Sequence, residues 1–180
     1  MSTLTVQTLQ APTSGANANK VLIPSGHTLD VSAGTLTPSA GQVVQEVIGQ
    51  TSSYNSTTST SFVATNLQAT ITPKFSNSVI NIFVFSSAYW NSASTNADYI
   101  NGTVYRDSTN IGTSGNLLAL YGAYGSSQNY VRPFVFAAQD SPSSTSALVY
   151  KMYIKVTNGN NGTVNDDRFE NTMVLREIKQ

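Results

Sequence analysis

The fold expected for this chain follows from one stretch, Ser78 to Ser86, with the sequence SVINIFVFS. An extended strand places its apolar residues on both sides, Ile80, Ile82 and Val84 on one and Val79, Phe83 and Phe85 on the other. Only Asn81 interrupts the apolar run. A strand of this kind is typical of sheets that are covered on both faces. The stretch therefore predicts a central strand that needs a second sheet or a partner subunit to cover it.

The length and composition limit the types of protein that this chain can be. The chain has 180 residues, which fits one domain and an appendage. Only 10% of the residues are charged, against roughly 25% in an average soluble protein. A surface rich in Ser, Thr and Asn suits an extracellular or virion β-protein better than a cytosolic enzyme. Nine basic and nine acidic residues leave a net charge of zero, which argues against nucleic acid or an anionic membrane as partner.

Two further features bear on where the protein works. The chain contains no cysteine, so disulfides, thiolate metal sites and cysteine nucleophiles are excluded. The first basic residue is Lys20, and no apolar run reaches the length of a membrane helix, so neither a standard signal peptide nor a membrane span is predicted. Release by cell lysis as part of a virus particle would fit this combination, and we expect a place on the exterior of a virion.

Residues 1–41 differ from the rest of the chain in composition and in the pattern of apolar residues. Short apolar patches, such as Val21 to Ile23, alternate with Pro and Gly turn signals up to Gly41. No patch is long enough to form a core alone, but three copies wound around one axis would bury the patches against each other. We therefore predict a trimeric shaft. A flexible arm is the alternative, given the Ser, Thr, Gly and Pro content.

Residues 42–180 are predicted to form an all-β head. Strand signals recur at short intervals with no helical period, and Pro73 ends one of them. The clearest pattern is Ala147 to Thr157, where apolar residues alternate with Lys151 and Lys155, so one face is buried and one is wet. About eight to ten strands indicate a jelly-roll or a related two-sheet β-sandwich. The other expected strands are Gln42–Ile48, Ser61–Thr72, Asp98–Arg106, Leu117–Tyr121, Val131–Ala137 and Thr172–Ile178.

The sequence offers little for catalysis or for a cofactor. The single histidine, His27, lies beside Asp30 in the turn-rich segment, and no nucleophile-elbow motif accompanies it. We expect no enzyme, no cofactor and no metal. Two weaker possibilities remain open, namely an ion held by three His27 side chains on a symmetry axis and calcium at Asp166 and Asp167. Arg168 would compete for those carboxylates.

Aromatic residues among small polar ones mark the candidate binding site. The segment Leu120 to Tyr130 has the composition of binding loops, in which tyrosine supplies rigid contact area and Ser, Gly, Asn and Gln supply adaptable hydrogen bonds. Exposed rings flanked by amides suit stacking on sugar faces. A core or subunit-contact role is the alternative, above all for Trp90. The predicted receptor-binding residues are Tyr89, Trp90, Tyr121, Tyr124, Gln128, Asn129 and Tyr130.

Short motifs along the chain resemble one family. The runs VLIPSGHTLDVSAGTL and PSAGQVVQ are similar to the N-terminal shaft of short tail-fibre-like proteins of tailed bacteriophages, particularly marine and cyanobacterial phages. An ITP-ending strand, the apolar central strand, VYRDST and the terminal VLREI are similar to the head of the same group. Residues Leu117 to Tyr130 are the part least like the family, so the resemblance leaves their role undetermined.

The resemblance implies a homotrimeric fibre that attaches to other virion proteins through residues 1–41 and carries a jelly-roll head comparable to tumour-necrosis-factor-like trimers. We expect such a head to bind a host surface polysaccharide or an outer-membrane receptor during attachment. Weak single sites would suffice, because several heads raise the effective concentration. The alternative is a capsid or tail decoration or connector protein with a purely structural role. A glycan-cleaving depolymerase is disfavoured, because the acidic residues are scattered and not paired in a motif.

Overall fold

The computed structural model describes residues 11–16, 18, 21–28, 37–90, 98–112, 119–123, 131–159, 161–164 and 170–180, with only the backbone described at 90, 98 and 119–123. The chain divides into two compact units, Met1–Thr37 and Pro38–Gln180. In the first unit, turns form at Gly15 and Gly26, where the backbone φ is positive. The apolar side chains Val21, Leu22 and Ile23 of this unit are exposed by 50, 57 and 45%.

The described part of the second unit is built from strands alone. The predicted class, all-β with two antiparallel sheets, is confirmed. No helix that could span a membrane occurs in the part of the chain that the structure describes. The strands are β1 (Val43–Thr51), β2 (Asn55–Thr57), β3 (Val63–Ile71), β4 (Val79–Trp90), β5 (Asp98–Arg106), β6 (Thr109–Asn110), β7 (Ala119–Ala123), β8 (Val131–Asp140), β9 (Leu148–Val156), β10 (Gly162–Val164) and β11 (Asn171–Ile178).

Three strand positions in these sheets are each filled by two short strands placed end to end. We call each strand position a row. β10 and β11 both pair with β4, β10 at its C-terminal end and β11 along its N-terminal half. β1 pairs with β11 and β2 pairs with β10, so the interruption continues into the next row. β6 and β7 likewise pair with two ends of β5. Counted in this way, sheet A has the order β1/β2, β11/β10, β4, β8, and sheet B has the order β3, β9, β5, β6/β7.

The core lies between the two sheets. Alternation places one side of every long strand inside, and on β9 this side carries Leu148, Tyr150, Met152, Ile154 and Val156. The predicted alternation of β9 and the inward direction of Leu67, Ala69 and Ile71 on β3 are therefore confirmed.

Sheet A and sheet B approach closely at Gly102. A β-carbon added there would lie 2.6 Å from the Phe134 ring, closer than real side chains approach. Glycine at this position of β5 thus makes room for an aromatic ring of the opposite sheet.

The predicted cover of the central strand is only half right. Ile80, Ile82 and Val84 are fully buried between the sheets. On the other side of β4, Phe83 is half-buried and Phe85 is 48% exposed. Among the described residues no second layer lies over this side, because sheet B packs on the opposite face. The strands also differ from expectation at their ends, since β1, β7 and β8 continue to Thr51, Ala123 and Asp140. Leu117 and Leu118, the expected start of β7, lie outside the described residues.

Candidate receptor-binding site

The structure describes only part of the predicted binding residues. Tyr89 is half-buried near the end of β4, where it pairs with Val131 at the start of β8. Trp90 and Tyr121 lie in β4 and β7, in different sheets, and their side chains are outside the described set. Tyr124, Gln128, Asn129 and Tyr130 are outside the described residues. Val131, which follows Tyr130 in the sequence, is the residue that pairs with Tyr89.

A groove of about 360 Å³ opens next to this pairing. It is lined by residues from β4, from the start of β8 and from the segment that enters β11, among them Phe85, Ser87, Val131, Arg132, Pro133 and Glu170. Ser87 pairs with Pro133 and Ala88 pairs with Arg132, so the ladder between β4 and β8 forms the floor. Proline is tolerated here because β8 is an edge strand in the described sheet and its outer N–H needs no partner.

The lining of the groove combines an apolar floor with a few polar groups at its sides. Phe85 presents a partly exposed ring, while Arg132 and Glu170 are exposed and carry opposite charges. Small-molecule sites have this character, with volumes of about 300–1,000 Å³, mostly apolar walls and few polar groups that fix orientation. The arrangement therefore suits a small polar group with one apolar face, such as a sugar ring.

Sequence reasoning missed the residues that line the groove. The sequence predicts that Phe85 lies on a covered strand, and it indicates no role for Arg132, Pro133 or Glu170. Their positions are 85, 132–133 and 170, so only the pairing of β4 with β8 and with β11 brings them together. One usable signal was the rarity of charge, since Arg132 lies two residues after the tyrosine-rich segment.

The outer face of sheet A beyond the groove is apolar. One row across the sheet runs Ile48, Val174, Phe83, Ala137, and all four side chains are hydrocarbon. Ile48 is 55% exposed and Val135, which pairs with Phe85, is 54% exposed. Contiguous exposed apolar surface of this kind marks interaction sites.

The charges on the outer face of sheet A cancel. Arg176 and Glu46 form an ion pair with an Nη2 to Oε2 distance of 2.6 Å, and both side chains are partly exposed. The Arg176 guanidinium also lies 5.7 Å from the centre of the Phe83 ring. Beside this pair, Gln139 donates a hydrogen bond to the Asn81 side chain. The described face thus presents paired polar groups next to an apolar row.

A fully buried carboxylate, Glu177, holds one end of sheet A together. It accepts hydrogen bonds from the Ser78 hydroxyl (2.6 Å), from the Gln45 amide (2.6 Å) and from the backbone N–H groups of Lys74 and Phe75. Burial alone would raise the pKa of Glu177, but these hydrogen bonds outweigh it and hold the pKa below its usual value. Glu177 therefore fixes β1 and the segment before β4 to β11.

A second polar cluster joins the two sheets. Arg106 on β5 donates to both oxygens of Asp140 at the end of β8, at 2.8 and 2.7 Å, and Tyr150 on β9 donates to the same carboxylate at 2.7 Å. Burial raises the pKa of Tyr150, and its hydrogen bond to Asp140 adds to the effect. Each member has partners within the cluster, so the cluster is a clamp between β8 and sheet B.

The described residues give no cluster of three or more His, Cys, Asp or Glu side chains that would hold a metal ion. His27 is exposed in the first unit. Asp30 and the loop with Asp166, Asp167 and Arg168 lie outside the described residues, so the two open metal hypotheses stay untested.

No protein-family model matches the chain, and no curated protein matches it. Among solved structures, it is similar to the CBM22-1 xylan-binding domain from Paenibacillus barcinonensis Xyn10C, at 11% identity over 80% of this chain and 99% of that one. The TM-score of 0.27 is too low for this likeness to carry an argument about fold or function.

Proposed function

We propose that the chain is a non-enzymatic bacteriophage virion fibre protein of the tail-fibre type, whose head binds a host surface glycan during attachment. The observation that carries the proposal is the groove of about 360 Å³ beside Tyr89. Its partly exposed Phe85 ring would stack on a sugar face, while Arg132 and Glu170 would hydrogen-bond to polar substituents. Val131, which follows the tyrosine-rich segment in the sequence, lines this groove.

The order of the strands supports a jelly-roll head. If the eight rows are numbered along the chain, the first pairs with the eighth, the second with the seventh, the third with the sixth and the fourth with the fifth. This nested pairing results when one long antiparallel ribbon is rolled into two sheets. Virion proteins are among those that use this architecture.

Exposed apolar surface supports assembly into a homotrimer on the virion exterior. In the head, Ile48, Phe85 and Val135 lie on one outer face. In the first unit, Val21, Leu22 and Ile23 are exposed within a single copy. Further copies would cover both sets of side chains, and residues 1–41 would join the fibre to other virion proteins. Receptor binding by three heads would then gain from effective concentration.

A decoration or connector role is the second candidate, because the apolar outer face of sheet A suits a different virion protein as well as a second copy. The two candidates differ in what the groove does. A connector would leave the groove unused and would not adsorb to cells.

The test is adsorption of the fluorescently labelled full chain to a panel of marine and cyanobacterial strains, read by flow cytometry. We expect at least one strain to be stained and Arg132→Ala to lower the staining by about tenfold. Lys74→Ala, which also removes one exposed cation, is the matched control and should stain like the original protein. Absence of staining on every strain, or equal staining by the Arg132→Ala variant, would contradict the proposal.

A further inference from the structure

The outer face of sheet B carries a cluster of three aromatic rings, formed by Phe62, Tyr105 and Tyr153. The rings of Tyr105 and Tyr153 are stacked, with centroids 4.0 Å apart and an interplanar angle of 28°. Phe62 meets Tyr105 edge to face at 6.3 Å. All three side chains are half-buried, so each ring is fixed by its neighbours and still reaches solvent. The contacts hold the rings in place before any ligand arrives, which lowers the entropic cost of binding.

Two lysines flank these rings on the same side of β9. Lys151 and Lys155 alternate with Tyr153, and four residues of strand separate their Cα atoms by about 13 Å. The Lys155 ammonium lies 4.8 Å from the centre of the Phe62 ring. β3, β6 and β9 contain no acidic residue. β5 begins with Asp98, whose side chain is outside the described set, and the carboxylate of Asp107, in the turn after β5, accepts a hydrogen bond from the Val149 N–H of β9. Neither lysine has an ion pair among the described residues. The two lysines therefore give this face an excess of positive charge among the described side chains, although the chain as a whole is neutral.

The polar groups around the rings are open to a ligand. Within the described part of the chain, the hydroxyl groups of Tyr105 and Tyr153 form no hydrogen bond with protein atoms. Gln68 is exposed and pairs with Lys151 across β3 and β9. The face thus offers hydroxyl, amide and ammonium groups around an aromatic centre.

We propose that the cluster of Phe62, Tyr105, Tyr153, Lys151 and Lys155 on the outer face of sheet B is a binding surface for an acidic polysaccharide. The aromatic rings contact the apolar faces of sugar residues, and the two ammonium groups pair with uronate or sulfate groups along the polymer. The inference takes from the proposed function only that the ligand is a glycan, and it places this ligand away from the groove.

The shape and charge of the face favour a polysaccharide over other anionic ligands. Lys151, Tyr153 and Lys155 lie in a row along one side of β9, so an extended polymer fits them better than a small molecule does. Two cations are few beside the roughly six to ten phosphate contacts of duplex-binding proteins. Self-association through the apolar face of sheet A would also leave this face open, since the two outer faces lie on opposite sides of the sandwich.

The test is biolayer interferometry of the full chain on immobilised alginate, a polyuronate, with immobilised neutral dextran as reference. We expect binding to alginate that weakens as salt is raised, and little binding to dextran. Lys151→Ala combined with Lys155→Ala should weaken binding by about tenfold or more. Lys74→Ala combined with Lys179→Ala removes the same charge elsewhere and should bind like the original protein. Tyr153→Ala should also bind weakly, while Tyr153→Phe should keep most of the affinity.

Several results would overturn the inference. No binding to alginate, equal binding to dextran, or equal loss in both lysine pairs would contradict a specific acidic-glycan surface. Binding to vesicles that contain phosphatidylserine in preference to alginate would assign the face to membranes instead. Arg132→Ala should leave alginate binding unchanged, so failure of that variant to alter cell staining counts against the groove alone. Thermal melting of every variant separates lost binding from lost folding.

Discussion

The outer faces of the two sheets differ, although both sheets pack on one core. On sheet A the outer face exposes Ile48, Phe85 and Val135, and its charged residues Arg176 and Glu46 pair with each other. On sheet B the outer face presents stacked tyrosines and two lysines that have no acidic partner among the described residues. The first face suits contact with protein, and the second suits a hydrated, charged ligand. The inner faces thus share one core, whereas the outer faces differ in the side chains that they present.

The largest effect is expected when charges are placed on the apolar face of sheet A. Ile48→Glu combined with Val135→Glu should dissociate the copies, because burying carboxylates in an apolar contact costs several kcal/mol each and the short apolar patches of residues 1–41 add too little buried surface to hold the copies together. The matched control is Ala64→Glu combined with Thr70→Glu, which places the same charges at exposed positions on the outer side of β3 in sheet B. Sedimentation velocity should show a single chain for the first variant and the original assembly for the control. Equal sedimentation of the two variants would remove the contrast between the faces.

The next largest effect is expected from replacing the buried carboxylate of Glu177. This replacement also tests whether assembly depends on that residue. Glu177→Gln should lower the free energy of unfolding by about 2–3 kcal/mol, because charge-assisted hydrogen bonds to four donors are weakened. The assembly state should not change. Urea denaturation measures the first quantity and light scattering the second, with Thr70→Glu, on the exposed side of β3 in sheet B, as a control for surface changes.

The same residue predicts a dependence on pH. Because the folded pKa of Glu177 lies below its ordinary value of 4.5, its stabilising effect is complete above that value and is lost as the pH falls through the folded pKa. The stability of the original protein should therefore decline below about pH 4.5 more steeply than that of the Glu177→Gln variant. Parallel pH profiles of the two proteins would show that Glu177 is not the group responsible.

A smaller effect is expected at the clamp between the sheets. Asp140→Asn keeps an acceptor for Tyr150 but removes the charge that pairs with Arg106, so the free energy of unfolding should fall by about 1–2 kcal/mol. Thermal unfolding gives this value. A loss as large as that of Glu177→Gln would mean that the clamp contributes as much as the fully buried network.

The smallest effect concerns the ion pair on the outer face of sheet A. Arg176→Gln combined with Glu46→Gln should change the stability of the single chain by less than about 1 kcal/mol, since both side chains are partly exposed and surface pairs contribute little. Urea denaturation of the dissociated Ile48→Glu, Val135→Glu background measures this. A larger loss would mean that the pair is not an ordinary surface contact.

The sequence predicted the inner faces well and the outer faces poorly. On β9, lysines alternate with apolar residues, so the buried side could be read directly from Lys151 and Lys155. On β4 both sides are apolar, and the pattern could not show that Phe85 would remain exposed within one copy. The groove was beyond prediction, because Phe85, Arg132 and Glu170 meet only through strand pairing across long stretches of chain.

The most direct test of the central claim is the absolute mass of the full chain in solution, measured by light scattering coupled to size exclusion at two concentrations. We expect a mass near three times 19.2 kDa at both concentrations. In the proposed trimer, further copies cover the apolar face of sheet A and the exposed apolar residues of the first unit. A mass of 19.2 kDa at both concentrations would contradict the trimeric fibre and favour a connector that binds another protein.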